Sequence, residues 1–122
     1  MAAAVQLVRS KGFTADDTSD FTSPPTAGLH VLIGTATGSA DGYSQRAFFF
    51  VDGHFLRTDL ADSSAGIHLA WRNTSTIALS YAVYKPKEPM CCPTAGAIIV
   101  RYQWNGKRLT VLDPVPSATA RR

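Results

Sequence analysis

Residues 48–57 read Phe48-Phe49-Phe50-Val51-Asp52-Gly53-His54-Phe55-Leu56-Arg57. Asp-Gly between two apolar runs signals a two-residue type I′ hairpin, because both central residues must take positive φ. That places strands over 44–51 and 54–59. Phe50 then opposes Phe55 and Phe48 opposes Arg57 on one face. Phe49 opposes Leu56 and Val51 opposes His54 on the other. Antiparallel sheets commonly keep one face wet. Here both faces are apolar, so both need a cover. A helix can supply one. The second needs sheet curvature, a long loop, a ligand or a partner chain.

Working outward, residues 2–11 read as a short helix, with Val5, Leu7 and Val8 as its apolar positions and Gly12 as its C-terminal cap. Residues 14–28 are rich in Thr, Asp, Ser and Pro and read as a loop or crossing segment. Period-two strands follow at 29–35, 67–72 and 76–84, the clearest being Ile77, Leu79, Tyr81 and Val83 alternating with Ala78, Ser80 and Ala82. Asn105-Gly106 signals a second hairpin, between 97–104 and 107–113. Its two-residue register sets Trp104 against Lys107, Tyr102 against Leu109 and Val100 against Val111. With no second helix to cross over between parallel strands, the expected fold is α+β. An N-terminal helix packs on a curved antiparallel meander of about six strands, with a partly closed barrel as the alternative. Residues 1–116 form one domain, and 117–122 read as a flexible tail.

The 122 residues are 45% hydrophobic and 17% charged, which excludes a disordered or collagen-like chain. No apolar run approaches the roughly 18 residues of a membrane-spanning helix. The net charge is +3 and the cations are scattered, so nucleic acid is not an expected partner. The N-terminus lacks the order of a secretory signal and a cysteine for lipid attachment, which reads as a trimmed domain or a cytoplasmic protein.

Few residues suggest chemistry. If strands 54–59 and 67–72 pair, His68 lies near Arg57, and His30, His54 and His68 do not converge on a metal. The acids Asp16, Asp17 and Asp20 read as solvated loop residues. The glycine loop 34–42 lacks a Gly-Lys-Ser/Thr ending and a following helix, so it is no phosphate loop. Asn73-Thr74-Ser75 matches a glycosylation sequon, a short and unspecific motif. Cys91 and Cys92 are adjacent, closer than an ordinary disulfide prefers. They read as small side chains in a turn before Pro93, with a strained vicinal redox pair or a link to another chain as alternatives. No metal or cofactor is expected.

Several segments resemble one family when taken in order. These are Gly34-Thr35-Ala36-Thr37-Gly38-Ser39, the run Phe48 to Asp59, Thr76 to Tyr81, and Cys91-Cys92-Pro93. Val100 to Leu109 and Leu112-Asp113-Pro114-Val115-Pro116 complete the set. Over residues 29–116 the chain resembles the LppP/LprE lipoproteins of actinobacteria. The resemblance implies a small extracytoplasmic domain tethered to the cell envelope, with membrane contact only through a lipid anchor that this sequence lacks. It carries over no catalytic residue. Where the family pattern has a cysteine before the first strand, this chain has Pro25-Thr26.

The expectation is therefore a non-enzymatic envelope domain that binds a hydrophobic small molecule or an envelope protein. The candidate ligand residues are Phe48, Phe50, Phe55 and Arg57, where Arg57 fits a ligand carboxylate and an exposed strand end equally well. Phe49, Val51 and Leu56 are the alternative face, and Pro89 to Thr94 a rim. The rival readings are a cytoplasmic interaction protein and a thiol-dependent enzyme using Cys91 and Cys92.

Overall fold

The run Ala2-Ala3-Ala4-Val5 favours helix, and α1 spans Ala2–Ser10. It ends as expected: Gly12 takes a φ of 88° and its N–H donates to the Arg9 carbonyl. The computed structural model describes residues 2–21, 28–38, 44–89 and 93–122. Strands follow at β1 (Phe13–Asp17), β2 (Leu29–Ala36), β3 (Gln45–Val51) and β4 (His54–Thr58). Next come β5 (Ile67–Arg72), β6 (Thr76–Ala82), β7 (Ala97–Trp104) and β8 (Leu109–Val111). A second helix, α2, spans Ala118–Arg121.

Among the described residues the strands form two antiparallel sheets, β1-β2-β3-β4 and β5-β6-β7-β8, rather than one meander of about six strands. The break falls between β4 and β5. Those strands do not pair, so His68 opposes Ser80 and is not brought beside Arg57. The connection instead turns back over β3: Gln45 and Ser64 exchange backbone hydrogen bonds, and the Gln45 side chain accepts from the Ile67 N–H. Residues 14–28 are not all loop either. Thr14 to Asp17 belong to β1, the edge strand beside β2, and Ser19–Phe21 form a 3-10 turn.

The doubly apolar hairpin explains the layering. Asp52 and Gly53 have φ of 51° and 83°, and Val51–His54 and Phe50–Phe55 pair as expected. A bulge after Phe50 then sets Phe49 against Arg57 and Phe48 against Thr58. Phe49 joins Leu29, Val31 and Ile33 facing Ile67, Ile77, Leu79, Tyr81, Val100 and Tyr102 of the second sheet. Phe48 and Phe50 join Leu32 on the opposite face, beneath Ala4 and Val8 of α1. The molecule is thus a stack of helix, sheet and sheet. One cover of the hairpin is the helix. The other is the chain's own second sheet.

At the second hairpin Trp104 opposes Leu109 and Tyr102 opposes Val111, two residues away from the tight-turn register. The Asn105 side chain accepts from the N–H groups of Lys107 and Arg108 and holds a longer turn open. A shift of two keeps every side chain on its face.

Candidate functional site

The four expected ligand residues lie on the β3–β4 hairpin, and the structure brings three of them together. Phe48 and Phe50 are 0% and 1% exposed. The Phe55 ring sits 6.1 Å from that of Phe48 and 5.7 Å from that of Phe50. Phe13 adds an edge-on contact with Phe48 at 5.4 Å, and the Lys11 ammonium lies over Phe55 at 5.6 Å. Their space is filled by α1 and β1. Arg57 is exposed and its guanidinium donates to the carbonyls of Thr58 and Asp59. On the alternative face Phe49 is buried, with Val51 and Leu56 packed against the inter-sheet core.

Three polar clusters join the layers. In the first, Asp20 is buried rather than solvated. It accepts from Arg72 at 2.5 and 2.6 Å and from the Val31 N–H, and lies 3.2 Å from His30 Nδ1. Arg72 also donates to the carbonyls of Leu29 and Asn73. An arginine on the second sheet is thereby clamped to the first. Asp16, on the edge strand, accepts from the Thr35 hydroxyl and the Gln45 amide.

The second cluster sits between the sheets. Tyr81 donates its hydroxyl proton to Asp59 Oδ2 at 2.6 Å and lies 2.5 Å from the Tyr102 hydroxyl. Tyr81 has one proton, so Tyr102 must donate to it. Both donors in this relay point toward the Asp59 carboxylate, whose Oδ1 accepts from the Ala47 N–H. Burial pushes the Asp59 carboxyl up, against the lowering effect of these hydrogen bonds. Burial also raises both tyrosines, and the nearby Asp59 charge adds to this.

The third cluster belongs to the C-terminal segment, which docks rather than trailing as a free tail. Arg121 is buried and donates to the Pro116 carbonyl, the Ser64 hydroxyl and Asp62. That arginine holds the Asp62 carboxyl below its usual range. Backbone bonds from Ala65 to Arg121 and from Tyr84 to Ala120 complete the attachment. Beside it lies an open cavity of about 220 Å³ between Tyr84, Pro86 and α2. Arg122 stacks 5.2 Å over Tyr84.

Cys91 and Cys92 lie outside the described residues. At the flanks of that loop, Glu88 accepts from the N–H groups of Lys85 and Thr94 and from the Thr94 hydroxyl, which lowers its pKa. Pro89 and Thr94, expected as a rim, are exposed. His54 and His68 are exposed on β4 and β5, apart from the buried His30.

Sequence reasoning passed over the outer face of the second sheet. Register places Trp71, Ala78 and Arg101 in one row across it, and His68, Ser80 and Ile99 in the next. Trp71 is 46% exposed and Ile99 44%. The alternation of Ala78, Ser80 and Ala82 with Ile77, Leu79 and Tyr81 was the available signal, since it marks one face of β6 as small.

Layering and clusters together define a helix-covered, two-sheet domain whose buried ionisable groups tie its layers to one another. A family model identifies the group. The chain belongs to the LppP/LprE lipoprotein family, whose model matches residues 22–107. A lipoprotein family suggests a cell-envelope location. No curated protein and no solved structure matches the chain.

Proposed function

We propose that this chain is a non-enzymatic, extracytoplasmic domain that works by binding another component of the envelope through its surface. The observation that carries this reading is the contrast between its apolar residues. Phe48 and Phe50 are sealed beneath α1, whereas Trp71 and Ile99 stand exposed on a sheet face that no described element covers. A carrier of a hydrophobic small molecule would need the Phe hairpin to open, at the cost of lifting α1 from its core. The polar clusters support the same reading. Asp20, Asp59 and Arg121 are engaged by neighbours across the layers, which suits a structural role.

Native mass spectrometry of the purified chain tests the proposal. The expected result is a bare polypeptide mass. A retained hydrophobic adduct that disappears in Phe48→Ala would overturn it and restore the hairpin as a ligand site.

A further inference from the structure

Charge is divided unevenly along this chain. Residues 1–66, which build α1 and the first sheet, carry four Lys or Arg against seven Asp. Residues 67–113, which build the second sheet, carry six Lys or Arg against two acids. Both acids of that second half are engaged: Asp113 pairs with Arg101 at 2.8 Å and Glu88 with Thr94. Among the described residues, Lys87, Lys107 and Arg108 are exposed and have no carboxylate partner. Lys107 and Arg108 form the tip of the β7–β8 hairpin, at one end of the second sheet. Lys87 follows β6, at the other end.

Between these basic ends lies the outer face, which no element covers among the described residues. Its strand β6 presents Ala78, Ser80 and Ala82, and Ala78 is fully buried between its cross-strand neighbours Trp71 and Arg101. Trp71 on β5 and Ile99 on β7 flank that strip, two strand spacings across and one row apart. Exposed Leu112 extends it, donating its N–H to the Arg101 carbonyl. A tryptophan and aliphatic side chains between unpaired cations match the headgroup zone of a bilayer, where indole rings settle and basic residues meet anionic lipid.

We propose that the outer face of the second sheet docks on an anionic lipid surface, with Trp71 and Ile99 seated among headgroups and Lys107, Arg108 and Lys87 over the lipid phosphates. The inference rests on the envelope reading above and names the component bound. Each cation near such a surface strengthens binding about fivefold, and the electrostatic share weakens as salt rises.

The test is co-sedimentation of the 122-residue chain with phosphatidylglycerol–phosphatidylcholine vesicles and with phosphatidylcholine alone. Binding is expected only to the anionic vesicles, with a blue shift of tryptophan emission. Lys107→Glu with Arg108→Glu should weaken it at least tenfold. Trp71→Ser and Ile99→Ser should each weaken it severalfold and Trp71→Ser should abolish the blue shift, with unchanged far-ultraviolet circular dichroism. Arg9→Glu, on the exposed side of α1, should leave it unchanged. No binding to anionic vesicles overturns the inference. So does an equal loss in Arg9→Glu, which would mean bulk charge alone. A dimer in sedimentation velocity that Trp71→Ser dissolves would assign the face to a second copy and overturn it as well. The first two outcomes leave the surface-binding reading standing. An adduct in the native spectrum overturns that reading instead.

Discussion

The two sheets share one core but differ on their outer faces. The first sheet presents Leu32, Phe48 and Phe50 there and is roofed by α1. The second presents Ala78, Ser80 and Ala82 along its central strand and has no roof among the described residues. Large apolar side chains repeated on one face need a cover, because leaving each exposed forfeits roughly 1.5–3 kcal/mol. Small side chains on a central strand are shielded by their cross-strand neighbours, as Ala78 is between Trp71 and Arg101. The same alternating pattern therefore demands a helix on one sheet and permits a bare surface on the other.

The strongest way to break that contrast is to truncate one aromatic on each face. Phe48→Ala should cost about 3–5 kcal/mol, the usual loss for a buried Phe. Trp71→Ser should cost about 1 kcal/mol or less, the loss of a cross-strand contact with no core cavity. Urea unfolding measures both. Equal losses would mean that Trp71 is part of a core and the face is not free.

A smaller effect sharpens how the roof is fitted. Gly34 lies in β2 beneath the helix. A β-carbon there would sit 3.0 Å from Val8 Cγ1, 3.2 Å from Phe13 Cβ and 3.3 Å from Phe48 Cε1. Gly34→Val should therefore overpack the junction and cost about 1–3 kcal/mol. Hydrogen exchange should quicken in α1 while amides of β6 and β7 keep their order of protection. If all amides quicken together, α1 unfolds only with the whole domain.

These contrasts were only partly legible in the sequence. The Asp52-Gly53 turn and the helix over Ala2–Ser10 depend on neighbouring residues, and both were readable. The sheet break was not. A period-two strand looks the same whether its successor pairs beside it or stacks across the core, and what decides here is Gln45 meeting Ser64 and Ile67. The edge strand β1 was hidden by its polar Thr14 and Asp16, whose partners Thr37, Thr35 and Gln45 lie about twenty or more residues away. Helix α2 is too short to announce itself and is held by Arg121 reaching Ser64 and Asp62. The Phe cluster is legible from the Asp52-Gly53 hairpin, but the cover that α1 gives it is not. The exposed Trp71 was missed because a lone tryptophan in a strand gives no sign of which way it faces.

The smallest effect concerns neither outer face but the polar link between the sheets, and it shows in pH dependence. Asp59 titrates above the usual carboxyl value in the folded chain because burial disfavours its charge. Folding is then favoured by protonation at this site. The folded state loses that advantage as pH rises from the unfolded carboxyl value, about 3.9, through the folded one. Asp113 has the opposite sign. Arg101 holds it at about 2, so its contribution is present above the ordinary carboxyl range and lost as pH falls toward 2. Asp59→Asn should therefore gain on the wild type as pH is raised from about 4 to 7, whatever its absolute stability. Asp113→Asn should instead lose ground to the wild type as pH is raised from about 2 to 4. Parallel urea midpoints across both windows check the pair. If Asp59→Asn keeps a constant offset, the Asp59–Tyr81–Tyr102 chain holds its charge as readily as water does, and the two sheets are joined by a polar contact as solvated as the one at Asp113.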